Sequence, residues 1–522
     1  MAPLRRVETA QGTRLKVYLG RLVLWSGVIL LAGWLLVATA LFFNVKYNRG
    51  FKRVSYSHLI FLPLKWEAFK RAKGEYRVEQ GIEASKEGKW LDAYSLLRSG
   101  LPDAPDNREG RLLLCRIYLM ARRTDSARQL LVEGLPYHTD QLDYLRVVLD
   151  FLFSQQADGA VIEVTQAVLD KAPLESPLNK LARASQAIAL FNRDRFAESA
   201  RVLAEGKMEN SQQAKVLAAR TRWDLGKKEE ALRLLRALHQ SQPKEEEVYR
   251  TLVSYLNAEK RFSDVRSLSL ARQLVQPEKV EPYVDYMQAC AAEMDWERRD
   301  AAEREFIGRF QDDAAALARC LEYAAMAGRG GLANQVYGAL ERLGAANPVS
   351  DLARIRAFLE GKEYGQGMQL LEALEGRSAS WEPGVKVSLG GLRALALKGL
   401  GKALEAAPVL DGLLESPYLT APMASYLAQR LHKLGDVEAA LRFYRKAVTL
   451  DPLYQLPLVE LLRVESQRKD IAEERELIER LMTMRKPPRD LVNEIRLTLE
   501  SDRYLFLAKR KEFIQKLTLP VQ

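Results

Sequence analysis

Shifting the sequence by 34 residues lays small residues on small ones and large apolar residues on large apolar ones: Gly81 on Cys115, Ala93 on Ala127, Leu97 on Leu131 and Gly100 on Gly134. A fixed period of this length marks stacked supersecondary units, none of which can bury its apolar face alone. Within one unit Gly88, Ala93, Leu97, Gly100 and Pro105 follow one another at steps of five, four, three and five. The same steps give Gly226, Ala231, Leu235, Leu238 and Pro243, a degraded copy at Lys260, Val265, Ser269, Arg272 and Pro277, and a further copy at Gly435, Ala440, Tyr444, Ala447 and Pro452.

The residue types explain the frame. Glycine after a first helix takes the left-handed conformation that ends it. A small residue then lets the second helix close on the first, and a leucine or aromatic fills the remaining gap. Proline stops the second helix and fixes the turn into the next unit. No alternating, strand-like segment of useful length interrupts the pattern.

The stretch from Met423 to Pro452, with Ala428, Gly435, Ala440, Tyr444, Ala447 and Pro452 on the signature places, resembles the tetratricopeptide repeat (TPR) family. The resemblance runs over roughly residues 74–487. It implies an all-α, right-handed superhelical solenoid of antiparallel helix pairs. Copies around residues 141–173, 280–312 and 348–383 keep helical periodicity but lose most signature residues, which leaves their register open.

The formal charge of +11 lies almost wholly at the N-terminus. Residues 1–75 carry 13 Lys and Arg against Glu8, Glu67 and Glu75, which leaves 66 basic and 65 acidic residues for the rest. A near-neutral array offers no polyanion footprint, so nucleic acid is not an expected partner. Cys115, Cys290 and Cys320 are widely separated, without a CxxC, and read as small buried packers.

From Leu22 to Phe43 the chain has 22 residues without a charge, about 33 Å as a helix, enough to span a bilayer core. Trp25, Phe42, Phe43 and Tyr47 stand near its ends, where aromatic rings favour the interface. Arg5, Arg6, Arg14, Lys16 and Arg21 with Ala38-Thr39-Ala40 also fit a cleavable signal, but the apolar run continues past Ala40. Flanking charge ties, with Lys46, Arg49, Lys52, Arg53 and Lys65 on the far side. A signal-anchor reading puts the repeats on the extracytoplasmic side of the inner membrane. Val54–Gly74 is suited either to the lipid interface or to capping the first repeat.

The expected organisation is thus a basic tail (1–21), a transmembrane helix (22–43), a juxtamembrane segment (44–73), about twelve repeats (74–487) and capping helices (488–522), the last carrying Leu491, Ile495, Leu499, Leu505, Leu507 and Phe513. Gly399–Leu404 mimics a phosphate loop, but no Ser or Thr follows Lys402 and the preceding segment is helical. HExxH, GxSxG and EF-hand patterns are missing, and His138 beside Asp140 is too little for a metal site. No catalytic residue, cofactor or metal is assigned.

The resemblance extends in layout to bacterial inner-membrane-anchored TPR proteins. It implies a non-catalytic, membrane-anchored scaffold or chaperone-like adaptor for envelope or secretion complexes, with other proteins or peptides as partners and the bilayer engaged through residues 22–43. The Lys, Asn and Arg clamp of chaperone-tail binders has no counterpart here, and the cysteine-rich zinc module of the lipopolysaccharide-assembly relative is missing. The alternative is an accessory subunit presenting polysaccharide or lipid to a partner enzyme. The sequence does not fix an oligomeric state. In this family partners bind the first helix of each unit, which implies Leu112, Arg116, Leu119 and Met120 in the second unit, Leu145, Leu149, Leu152 and Phe153 in the third and Phe191 in the fourth. Such a strip suits an amphipathic helix or extended apolar peptide. Arg220, Trp223 and Arg250 would add a cationic and aromatic patch for a carboxylate or planar group. Against the strip, Tyr144–Phe153 is apolar all round, as a helix buried on both sides would be.

Overall fold

In the computed structural model, residues 4–9, 12–17, 19–48, 50–51, 54–62, 64–138, 141–468, 474–505 and 510–518 are described. Arg49, Lys52, Arg53, Asp140 and Leu507 lie outside them. The chain divides into two compact parts, residues 1–182 and 183–522. Both are stacks of antiparallel helix pairs, the all-α solenoid architecture.

Backbone conformation exposes the repeat more sharply than residue type does. The turns between paired helices carry one residue each with positive φ: Gly88, Arg122, Gln156, Asp194, Gly226, Lys260, Met294, Gly328, Lys362, Gly401 and Gly435. The steps are 34 residues except 38 from Gln156 to Asp194, 32 from there to Gly226, and 39 from Lys362 to Gly401. Gln156, Met294 and Lys362 therefore fix the register of the three degenerate copies.

Five residues beyond each turn the second helix buries a close-contact residue. Ala93, Ala127, Val161, Ala231, Val265, Ala333 and Ala440 are all fully buried there. Four residues further on lie the gap-fillers, among them Leu97, Leu131, Leu235, Tyr337 and Tyr444. The copy after Met294 departs from this chemistry: Arg299 and Glu303 occupy the two places, both buried. First helices start on side-chain caps where the sequence supplies them. Asn107 accepts from the Gly110 amide, and Asn347 forms a capping box with Ser350.

The phosphate-loop lookalike is such a turn. Gly401 has φ +78°, and a Cβ on Gly399 would come within 2.3 Å of the Tyr364 ring, so both glycines serve packing and turn geometry. All three cysteines are buried and free. Burial pushes the Cys115 thiol up to about 11 and Cys320 up to about 12.

Ahead of the repeats, the helix Leu19–Phe43 is long and apolar enough to cross a membrane. A π-helical turn, Asn44–Asn48, follows it. The segment after it folds back along the apolar helix: Trp34 Nε1 donates to the Ile60 carbonyl at 2.6 Å, and the Thr39 and Tyr56 hydroxyls lie 2.6 Å apart. Ala38, Val54, Leu59 and Ala72 form one buried cluster, so this segment packs on both the apolar helix and the first repeat helix, Trp66–Lys86. One element was not read from the sequence. Leu4–Thr9 pairs antiparallel with Gly12–Val17, Leu4 opposite Val17 and Thr9 opposite Gly12, within what reads as a basic tail. Its β-branched Val7, Thr9, Thr13 and Val17 favour extended backbone.

Candidate functional site

The sequence-derived face separates into three environments. On the helix Arg108–Met120, Arg116 is exposed, Leu119 and Met120 are 38% and 56% exposed, and Leu112 is half-buried. These four remain available to a ligand. On the helix Leu142–Ser154, Leu145, Leu149 and Leu152 are buried with Tyr144 and Val148, and Phe153 is half-buried. Leucines packed inside the stack have no face to offer a partner, except that Leu145 also lines a cleft.

That cleft, about 570 Å³, is walled by Leu135, Leu142, Leu145, Val164, Val168 and Leu178, with Lys171 among its polar lining. It coincides with the 38-residue step, whose extra residues lengthen the helices on either side of the connection, chiefly Pro177–Asn192, with 16 residues against 13 in Arg108–Met120. A second cleft, about 410 Å³ and lined by Glu375, Lys386 and Arg393 among others, coincides with the 39-residue step. Sequence reasoning missed both clefts, although the broken period was the available signal.

The cationic and aromatic patch is internally engaged. Arg220 donates to Glu247 at 3.0 Å and Arg250 to Glu246 at 2.7 Å. Trp223 stacks flat on Tyr255, ring centroids 3.9 Å apart, with the Lys228 ammonium 5.5 Å from its ring. The Arg220–Glu247 pair and the Trp223–Tyr255 stack join the helix Gln212–Asp224 to Glu246–Ala258, and a carboxylate ligand would have to displace Glu246 or Glu247. Phe191 is buried, and the ammonium of Lys486 lies 3.2 Å from its ring centroid.

Deeper in the same stack, the Tyr249 hydroxyl donates to Asp285 at 2.8 Å. Burial pushes the Asp285 carboxyl from 3.8 up to about 6, against the opposing pull of the Tyr249 hydrogen bond. A raised value means that the folded chain holds this proton more tightly than the unfolded one. The associated stability is complete below about pH 4 and is lost as pH rises through about 6. Asp285→Asn should therefore melt higher than wild type at pH 7, by on the order of 1–3 kcal/mol. The gap should close at pH 4, and thermal melts at the two pH values measure it.

Stacked antiparallel helix pairs with left-handed turns at a 34-residue step define a helical-repeat protein. Residues 84–148 match the tetratricopeptide repeat family. No curated protein sequence matches it. Among solved structures it is similar to yeast Tom70 (12% identity, 84% of this chain and 99% of that one, TM-score 0.31). It is also similar to Naa15/Naa10 bound to HypK-THB (14%, 93% and 75%, 0.31). A third likeness is the pentatricopeptide repeat protein PPR10 in complex with an 18-nt RNA element (13%, 87% and 68%, 0.43). Repeats of tetratricopeptide type support a protein-interaction scaffold or adaptor role, and such proteins are generally non-catalytic.

Proposed function

We propose that this chain is a membrane-anchored scaffold or adaptor that holds protein or peptide partners on the first-helix face of its repeats during assembly of envelope or secretion complexes, with the repeats on the extracytoplasmic side. The observation that carries the reading is the helix Leu19–Phe43 ahead of a repeat array. Along most of its length its apolar side chains are exposed, Leu30 at 74% and Leu36 at 72%, as lipid-facing residues would be. The apolar, exposed pair Leu119 and Met120 supports the ligand face.

The chain is expected to stay in membranes through alkaline and high-salt washes, and a reporter fused after residue 522 should read the extracytoplasmic side. Release by salt alone would leave only screened attraction between the basic segment and lipid, and would sink the anchor. Leu119→Glu with Met120→Glu should cut recovery of crosslinked protein partners from detergent extracts while helix content holds. Undiminished recovery would remove this face from the ligand site. Glycan or lipid co-purifying in place of protein would favour the accessory-subunit reading.

A further inference from the structure

In a solenoid each unit touches its neighbours, and the side-chain contacts of this one mostly join residues fewer than 40 apart. One group of contacts reaches much farther, and in it Lys486 pairs with Asp224 across 262 residues of the second compact part. Its ammonium sits 3.2 Å from the centroid of Phe191 and 5.7 Å from that of Phe196, rings that are themselves tilted together at 5.6 Å. Arg489 reaches Asp194 at 4.0 Å beside it. Two aromatic rings and a carboxylate around an ammonium are the elements of a cation-binding cage.

We propose that Phe191, Phe196 and Asp224 form a lysine-binding cage, that the connection Met484–Arg489 occupies it in cis, and that an extended, lysine-bearing, proline-rich partner segment binds there by displacing Lys486. The proposal rests on the scaffold reading and adds a self-occluded site to it. Three features make this connection ligand-like. It is non-helical between the helices Arg475–Thr483 and Arg489–Glu500, with extended ψ at Met484 and at Pro488. Met484 and Pro487 are buried while the chain runs through. Lys486 itself is held at φ +48°, a conformation costly for a side chain with Cβ, which persists where the surroundings over-determine it. Burial lowers the Lys486 pKa, and Asp224 opposes that fall. The Lys486 side chain keeps 31% of its exposure, so the ammonium is partly withdrawn from water into the cage. A tethered ligand acts at high effective concentration, so the cage is closed to a weak external competitor until the tether is released.

The test uses the full chain in detergent micelles and a fluorescent peptide of its own residues 482–491. Lys486→Ala empties the cage, so it should bind this peptide at least about tenfold more tightly than wild type does. A peptide with alanine at the lysine position should not bind. Asp224→Asn keeps the side-chain shape, so it should free residues 484–489 to faster amide exchange yet fail to gain peptide binding. Equal peptide binding by wild type and Lys486→Ala overturns the proposal. So does no binding to Lys486→Ala with helix content intact, or unchanged exchange over 484–489 in Asp224→Asn. None of these measurements involves the unknown partner, so partner capture that survives Leu119→Glu and Met120→Glu fails the scaffold face separately.

Discussion

Tryptophan in place of Ala440 is expected to unfold the pair Ala421–Lys433 and Val437–Leu450 locally while leaving distant repeats folded. Ala440 is fully buried at the point where the second helix closes on the first, with Ala424, Leu427, Ala428 and Leu431 in the same core cluster. Adding an indole at a close-packed contact forces the helices apart or drives side chains off their rotamers, costing about 1–3 kcal/mol and more where the backbone cannot yield. Ala231 occupies the same frame place in another pair, so Ala231→Trp should do likewise there. Leu404→Trp is the control, because Leu404 is 92% exposed at the start of the helix Ala403–Glu415. Site-resolved amide exchange separates the outcomes. Faster exchange confined to the altered pair and its neighbours fits nearest-neighbour coupling. Uniform loss across the array would contradict it.

The legibility of the fold followed the chemistry of its turns. Where the left-handed residue is glycine, as at Gly88, Gly226 and Gly435, the repeat could be read from the sequence. Arg122, Gln156, Asp194, Met294 and Lys362 adopt the same conformation without glycine. That costs roughly 1–2 kcal/mol each, which packing on both sides can offset, so residue type stops reporting conformation there. The hairpin at Leu4–Thr9 and Gly12–Val17 was missed for a related reason. Its charge count drew attention, and two short strands carry little alternation to notice.

The candidate site was less legible, because helical spacing identifies a face but not what covers it. The family resemblance grouped Leu119 and Met120 with Leu145, Leu149 and Leu152, yet only the first two are exposed. The three buried leucines face the packed side of their helix, while Arg146 and Asp150 on the same helix are exposed. Arg220 and Arg250 were visible as cations, whereas no spacing marked Glu247 and Glu246 as the acids that engage them. Lys486 lies 262 residues from Asp224, a separation over which no local pattern carries information.

The copy around residues 280–312 tests why one repeat abandons the signature. Arg299 and Glu303 stand where other pairs place a small residue and a large apolar one. Arg329 binds Glu303 through two hydrogen bonds at 2.8 and 3.2 Å and Asp300 at 2.7 Å, and the Tyr323 hydroxyl lies 3.4 Å from Glu303. The carboxylate is thus a buried hub joining the helices Trp296–Arg309 and Ala314–Ala327 to Arg329, the residue that precedes the helix Gly330–Arg342. Removing one partner from such a network strands the others. Glu303→Ala should therefore cost about 3–5 kcal/mol, because Arg299 keeps its charge in a buried place with Asp300 as its remaining acid. Replacing a buried pair by well-packed apolar residues is often neutral or stabilising. The double variant Arg299→Ala with Glu303→Leu restores the frame chemistry of Ala93 and Leu97, and should recover most of the lost stability although it removes more polar contacts. Chemical denaturation of wild type, single and double variants decides the matter: a double variant no more stable than Glu303→Ala would mean that this repeat depends on its ions and not on the shape they fill.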